Sequence, residues 1–437
     1  MGTGIVTILL FASIIFFLAL GIPLVFVLGG VAVVFTYFFL GPEMLYFSAS
    51  TAFGIMDNFI LISIPLFVFM GVVLQHSGIA EKLYEMIQKW IGGLPGGLAM
   101  GTVVICTIFA AMAGISAAAT VTMGTIALPS MFKYNYHKDL AVGSISAGGA
   151  LGILIPPSVL MIIYGLFADE SIGKLFAGGV FPGLMLAVFF IVYIGIRAWI
   201  NPALAPPVPK DERATWSEKI SALKGVLLPI ILVMVVLGSI FKGVATPTEA
   251  AAVGAMGSLV CALVNGSLNW KIIKMACYFT LSLSCMIIWI IIGGSCLTSV
   301  YTAIGAVDLI KELVTMLPVS RYVVLIGLQS SLFLLGMVLD PGGIIMICTP
   351  VFVPLVKSLG FDPVWFGVLF IVNMEMAYLT PPFGFNLFYM KTIVPTDVTM
   401  MDIYRSIIPF VLLQLLTLIL LIFFPQIVMW LPNLLIK

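Results

Sequence analysis

The chain has 437 residues, of which 62% are hydrophobic and 8% charged, with a formal net charge of +1. Soluble domains carry about a quarter charged residues, so this composition excludes a water-soluble globular protein. Continuous apolar runs at or beyond the roughly 18 to 20 residues that cross a bilayer as helix exclude the short alternating segments of a β-barrel, and the chain reads as an all-α polytopic membrane protein.

In chain order, residues 4 to 20 read as a membrane helix and not a signal peptide, because no basic residue precedes them and a second apolar run follows at once. Further helices are predicted at about 23 to 40 and 57 to 75, followed by a proline- and glycine-punctuated region from 92 to 131. A broken helix at about 138 to 167 and a helix at 175 to 198 complete the first half. Residues 201 to 224 are polar, hold four prolines and much of the clustered charge, and read as a linker between halves. Within it, Thr215-Trp216-Ser217-Glu218 has the form of a capping box opening a short surface helix. The second half repeats the plan with helices at about 225 to 242, 247 to 264 and 274 to 300, a punctuated region at 322 to 357, a broken helix at 363 to 392 and a last helix at 407 to 424.

The two halves share an offset. Pro23 and Pro247, Gly30 and Gly254, Gly71 and Gly294, Pro95 and Pro318, and Pro156 and Pro381 stand 223 to 225 positions apart. A common offset that also superimposes two double-proline breaks implies duplication, with repeats at 1 to 200 and 225 to 437. If 92 to 131 and 322 to 357 are re-entrant hairpins, each repeat crosses the membrane an odd number of times and the second is inverted. Thirteen basic residues then fall on one side: Lys82, Lys89, Lys133, Lys138, Arg197, Lys210, Arg213, Lys219, Lys224, Lys271, Lys274, Lys391 and Arg405. Six fall on the other: Lys174, Lys242, Lys311, Arg321, Lys357 and Lys437. The positive-inside rule makes the first side cytoplasmic, so the linker is cytoplasmic, both termini face outward, hairpin one opens to the cytoplasm and hairpin two to the outside.

The breaks carry the chemistry. Gly152 to Ser158 and Leu379 to Asn386 each place two adjacent prolines inside an apolar stretch. The freed backbone groups are tolerated in hydrocarbon only where protein, water or an ion satisfies them, and paired broken helices point to a transport site near the midplane. The expected hairpin tips are Ala113 to Thr120 and Gly336 to Gly343, small residues that let another element approach closely or, equally, pack helices. Asp340, before Pro341, suits a helix N-cap, yet an ionisable group at membrane depth is also a functional candidate. With Thr380 it offers hard oxygen ligands for Na+; Ser116 and Ser158 offer the same without a carboxylate. Glu249 belongs to a capping box with Thr246, Asp169 and Glu170 read as solvated loop, and Glu375 stands within reach of the site or its aqueous cavity. Asn386 either serves a substrate or bonds freed backbone.

The six cysteines, Cys106, Cys261, Cys277, Cys285, Cys296 and Cys348, lie in apolar surroundings without CxxC spacing and read as buried small hydrophobes. His76 and His137 are too far apart in sequence to suggest a metal site. No GxxxxGK[ST] stretch occurs, so a gradient and not ATP drives any pumping, and nothing points to nucleic acid.

Three stretches together resemble one family. The run Gly243 to Gly254 (GVATPTEAAAVG), Gly152 to Ser158 with Tyr164-Gly165, and Asp340-Pro341 with Leu379 to Asn386 are similar to the large membrane subunit of tripartite ATP-independent periplasmic (TRAP) transporters. The resemblance runs over essentially the whole chain. It implies an elevator-type, Na+-coupled importer of an organic acid in the bacterial inner membrane, with both hairpins and both broken helices moving against a scaffold of the remaining helices. It also implies two partners besides the lipid bilayer: a periplasmic binding protein of the P type and a small four-helix membrane subunit of the Q type, here expected to be a separate chain. Carried onto this sequence, one Na+ site takes Gly114, Ser116, Gly152, Pro156 and Ser158, and the other Gly336, Asp340, Thr380 and Pro382. Substrate falls to Ser116, Pro157, Asp340, Thr380, Pro381 and Asn386, with sialic acid favoured over a C4-dicarboxylate. A passive channel or facilitator for small anions is the alternative, but it needs a continuous polar lining; a membrane-embedded enzyme would need a paired catalytic set that the sequence lacks.

Overall fold

Breakers, more than propensity, decide where this apolar chain stops being helical. The computed structural model describes residues 2–316 and 318–435, with no account of the side chains of Leu313 and Thr315, so Lys437 lies outside the described residues. Twenty α-helices and no strand occur among the described residues. The first half holds α1 (Thr3–Ala19), α2 (Leu24–Phe35), α3 (Leu45–Met56), α4 (Ser63–Gln75), α5 (Ile79–Ile91), α6 (Gly97–Ala113), α7 (Ser116–Lys133), α8 (Lys138–Ala150), α9 (Val159–Ala168) and α10 (Ile172–Ile200). The second holds α11 (Trp216–Phe241), α12 (Pro247–Val264), α13 (Trp270–Ala303), α14 (Ala306–Thr315), α15 (Arg321–Gly336), α16 (Pro341–Ser358), α17 (Pro363–Tyr378), α18 (Phe385–Lys391), α19 (Met400–Phe423) and α20 (Gln426–Leu435).

Several elements depart from the expected plan. Helix α3 was not anticipated; it is bent by 51° from the following segment at Asp57-Asn58. There the Asn58 side chain accepts from the Ile60 amide at 3.0 Å and restarts the helix. Helix α5 is amphipathic, burying Leu83, Tyr84, Met86 and Ile87 while exposing Glu81, Lys82 and Glu85, and so escapes a search for apolar runs. The capping box at Thr215 and Glu218 forms, but it opens no short surface helix. Helix α11 continues from it through Pro229 to Phe241. Helix α19 starts at Met400, earlier than expected, because Thr399 and Asp402 make another capping box.

Cys106, Cys261, Cys296 and Cys348 are buried, whereas Cys277 and Cys285 are exposed on α13. The expectation of six buried thiols is corrected there, since a helix facing lipid exposes small apolar side chains as readily as it buries them.

Packing separates two groups of helices. In one, α12 lies on α4, α13 on α2, α3 and α4, α11 on α12, and α1 on α2. The other gathers α6 to α10 with α15 to α20: α8 lies against α6, α7 and α19, α17 against α15, α19 and α10, and α16 against α9. Helix α8 sits at the centre of the second group, with every residue from Leu140 to Ala150 buried. Its glycines and serines make that possible, since small side chains let backbones approach where lipid supplies no hydrophobic drive.

The linker is stapled to the open end of the α6–α7 hairpin. The Val208 amide donates to the Gly92 carbonyl at 2.9 Å, Gly96 to Ala205 at 2.9 Å, and His137 to Leu204 at 2.8 Å. At the same end, the Lys133 ammonium lies 3.5 Å from Glu212, and Lys138 pairs with Asp397 at 2.9 Å.

Candidate functional site

Helix α8 ends at Ala150, passes one 3-10 turn over Leu151–Ile153, and loses helical form until α9 begins at Val159. Ser158 restarts the helix: its hydroxyl accepts from the Met161 amide at 3.3 Å and donates to the Ile153 carbonyl at 2.5 Å. All residues from Leu151 to Val159 are buried, and the Pro156-Pro157 peptide is cis. The α6–α7 tip reaches this break. Gly114 ends α6 at φ +64°, and a methyl placed on it would stand 2.5 Å from the Pro157 carbonyl oxygen. A methyl on Gly152 would stand 3.1 Å from the Ile115 carbonyl carbon and 3.2 Å from the Ser116 Cα. A methyl does not fit at Gly114 and would be tight at Gly152, so Gly114, Ser116, Gly152, Pro157 and Ser158 form one cluster, with Pro156 in the same break.

The second break is built the same way. Helix α15 ends at Gly336 and α16 begins at Pro341, with the Asp340 carboxylate accepting from the Gly342 amide at 2.9 Å. Capping is therefore one role of Asp340. Helix α17 ends at Tyr378, and its break returns to the hairpin: the Phe383 amide donates to the Met337 carbonyl at 3.3 Å, while Gly336 lies against Ala377 with no room for a Cβ. The Thr380 hydroxyl donates to the Met376 carbonyl at 2.8 Å, leaving its oxygen lone pairs for another partner. The Pro381-Pro382 peptide is also cis. Unlike the first break, this one is open, with Pro382 and Phe383 exposed.

Asn386 ties the two halves together. It lies on α18, just past the second break, yet its amide oxygen accepts from Ser116 at 3.2 Å and from Thr120 at 2.7 Å, both on α7. Its amide nitrogen donates to the Ser146 carbonyl on α8 at 2.7 Å, and the side chain is fully buried. Both polar atoms of Asn386 are thus engaged by protein. Thr120 and Ser146 were not anticipated as site residues; Thr120 follows Ser116 by four positions on a helix, which puts both hydroxyls on one face.

The chemistry follows from the helix ends. Helices α6, α8, α15 and α17 bring C-terminal carbonyls to the two clusters, and α7, α9 and α16 bring N-terminal amides. Carbonyl ends favour a cation and amide ends an anion. The Ser116 and Ser158 hydroxyls at the first break, and the Asp340 carboxylate and Thr380 hydroxyl at the second, are hard oxygens, a donor type that suits a hard cation and not a soft metal.

Among the other acidic residues, Glu249 accepts from the Thr246 amide at 2.8 Å and completes its capping box. Glu170 is not solvated loop: its carboxylate pairs with Lys357 at 2.9 Å and ties the α9–α10 turn to the end of α16. Asp169 beside it is exposed.

Two discontinuous helices, each met by the tip of a helical hairpin inside a polytopic bundle, define a permease of the secondary-transporter kind. The chain belongs to the family described as the tripartite ATP-independent periplasmic transporter, DctM component, whose model matches residues 11–427. It is 31% identical to the C4-dicarboxylate TRAP transporter large permease protein DctM of Vibrio cholerae, over 98% of this chain and 97% of that one. It is 32% identical to the ectoine TRAP transporter large permease protein TeaC of Halomonas elongata, over 86% of each chain. Its fold is similar to that of the Alcanivorax borkumensis YdaH transporter, with a TM-score of 0.62 and 15% identity over 89% of this chain and 91% of that one.

Proposed function

We propose that the chain is the Na+-coupled permease of a tripartite importer that carries a small organic acid across the bacterial inner membrane by an elevator movement. The observation that carries this reading is the meeting of hairpin tip and broken helix twice over, with Asn386 cross-linking the two clusters. Na+ is held at Gly114, Ser116, Gly152, Pro156 and Ser158, and at Gly336, Asp340, Thr380 and Pro382. The substrate lies at Ser116, Pro157, Asp340, Thr380 and Pro381, between the tips and the paired prolines. Asn386 contributes by holding Ser116 in place.

The halves are inverted repeats at 1 to 200 and 225 to 437, joined by the cytoplasmic linker, with both termini periplasmic. The gathering of Lys133, Lys138, Glu212 and Asp397 at the linker's end of the molecule supports one charged, water-facing side there. The moving body is α6 to α10 with α15 to α20, which pack mostly on one another, and the static scaffold is α1 to α4 with α11 to α13. Helices α10 and α19 thus travel with the hairpins and are not part of the scaffold.

The family description itself, tripartite and periplasmic, supports a binding protein and a small permease as the two partners. The substrates named for the relatives, a C4-dicarboxylate and ectoine, both carry carboxylates, which suits the helix N-termini at the site. The test is uptake by the reconstituted complex, offered sialic acid and succinate in parallel. Replacing Na+ with K+ is expected to abolish uptake; undiminished uptake in K+ removes sodium from the mechanism.

A further inference from the structure

Glu375 lies on α17 about one turn before the second break. Its side chain is fully buried, and neither carboxylate oxygen has a hydrogen-bond partner. Facing it from α19 is Gln414, also fully buried, with neither its amide oxygen nor its nitrogen bonded. Gln414 is within reach of Glu375.

Among the charged and titratable groups on the helices packed around α17, Asp340 caps α16 on the Gly342 amide and Cys348 is buried on the same helix. Arg321 at the start of α15 lies over the Tyr322 and Phe361 rings, and Lys357 on α16 pairs with Glu170. The Tyr164 hydroxyl of α9 donates to the Pro363 carbonyl, at the opposite end of α17. On α10, Tyr193 packs on Phe410, while Lys174 and Arg197 sit in the first and last turns. On α18, Lys391 donates to the Val398 carbonyl, and Tyr389 is exposed. Asp402, Tyr404 and Arg405 occupy the first turns of α19, and α20 carries no titratable group. On α17 itself, Tyr378 packs on Phe385.

An ionised carboxylate accepts hydrogen bonds and donates none. Buried without a counter-charge, it is among the most costly groups a protein can hold. Against Gln414 it would find one donor and one repelling acceptor. The neutral acid has one donor and one acceptor, and the amide has the complementary pair, so the two match as a closed two-bond ring. We propose that Glu375, partnered by Gln414, is a proton-binding site of the moving body, separate from the sodium positions. One proton adds from water to one carboxylate oxygen and returns to water on release; no co-reactant is needed. The protonation rests on the packing alone, and its part in the cycle rests on the transporter reading.

Two measurements test this. Infrared difference spectra of the full chain in lipid nanodiscs near neutral pH are expected to show a carboxylic-acid carbonyl band that is lost in Glu375→Gln and shifted in Gln414→Leu. Should Glu375→Gln not fold, wild type against Gln414→Leu carries the comparison. The absence of any acid band that responds to these changes means an ionised Glu375 and overturns the proposal. In the second measurement, uptake by the assembled complex is followed on both sides of neutrality, and Glu375→Gln is expected to flatten its pH dependence. A profile that coincides with wild type overturns the role in transport. If uptake persists in K+ while the acid band is present, the sodium reading fails and the proton site stands.

Discussion

The Thr120 hydroxyl donates to the Asn386 amide oxygen at 2.7 Å, across 266 positions of sequence. The bond joins a hairpin helix of the first half to the broken helix of the second, inside a fully buried polar cluster. If the proposed cation sits beside Ser116, its binding would bear on the second break through this one side chain, and the two clusters would respond together.

Asn386→Ala removes the acceptor of Ser116 and Thr120 and the donor to the Ser146 carbonyl. Each buried group left unpaired costs about 1–3 kcal/mol. The expected result is a lower thermal unfolding midpoint in detergent together with a raised Na+ requirement for uptake. Asn386→Asp keeps the acceptors, loses the donor and adds a charge, so it is expected to be no milder. Unaltered Na+ dependence in a stable Asn386→Ala would detach this residue from the ion sites.

Gly114→Ala places a methyl 2.5 Å from the Pro157 oxygen at a residue with φ +64°. The left-handed backbone alone costs about 1–2 kcal/mol for a residue with a Cβ, and the clash adds to it by forcing tip and break apart. Uptake is expected to fall at least tenfold. Gly54→Ala on α3, where nothing lies within 4 Å, is the matched control and is expected to transport normally. Equal uptake by the two variants contradicts the docked tip.

The breakers explain why the two interrupted helices were legible in the sequence. Paired prolines and a glycine cannot be hidden inside an apolar run, so the helices end at 150 and 378, beside the residues that indicate a break. Thr246 and Glu249 announced a helix start for the same reason, since a capping box is local. What escaped was either amphipathic or long-range. Helix α5 has no apolar run to find, and the contact of Asn386 with Thr120 and Ser146 depends on how α18 crosses α7 and α8, which no local pattern encodes. Glu170 was misread for that reason too: its partner Lys357 belongs to the other half.

Asp340→Asn separates capping from ion binding. Asparagine caps a helix about as well as aspartate, so the bond to the Gly342 amide survives and folding is expected to be unchanged. The negative charge is lost, and with it the stronger attraction for a cation. A marked loss of Na+ dependence with an intact thermal transition is the expected outcome. Wild-type Na+ affinity returns Asp340 to a purely structural role.

Acid is expected to loosen the linker end before it reaches the membrane body. The Tyr134 hydroxyl donates to Glu212 at 2.5 Å and holds that carboxyl below the usual carboxylate range, and Lys138 does the same for Asp397 through its hydrogen bond and charge. Folded values that lie below the unfolded ones mean that the stabilisation is fully present above the ordinary carboxylate range of about 4, and is lost as pH falls through the folded values. Both groups are exposed, so the effect is local. Amide exchange over residues 202 to 213, corrected for intrinsic rates, is expected to lose protection on acidification while α8 keeps its own. Tyr134→Phe removes the donor to Glu212, lets that carboxyl return toward its ordinary value, and is expected to move the loss to higher pH. If protection across the linker is the same at neutral and acid pH, in wild type and Tyr134→Phe alike, then the backbone bonds of Val208, Gly96 and His137 hold this segment without help from the charges.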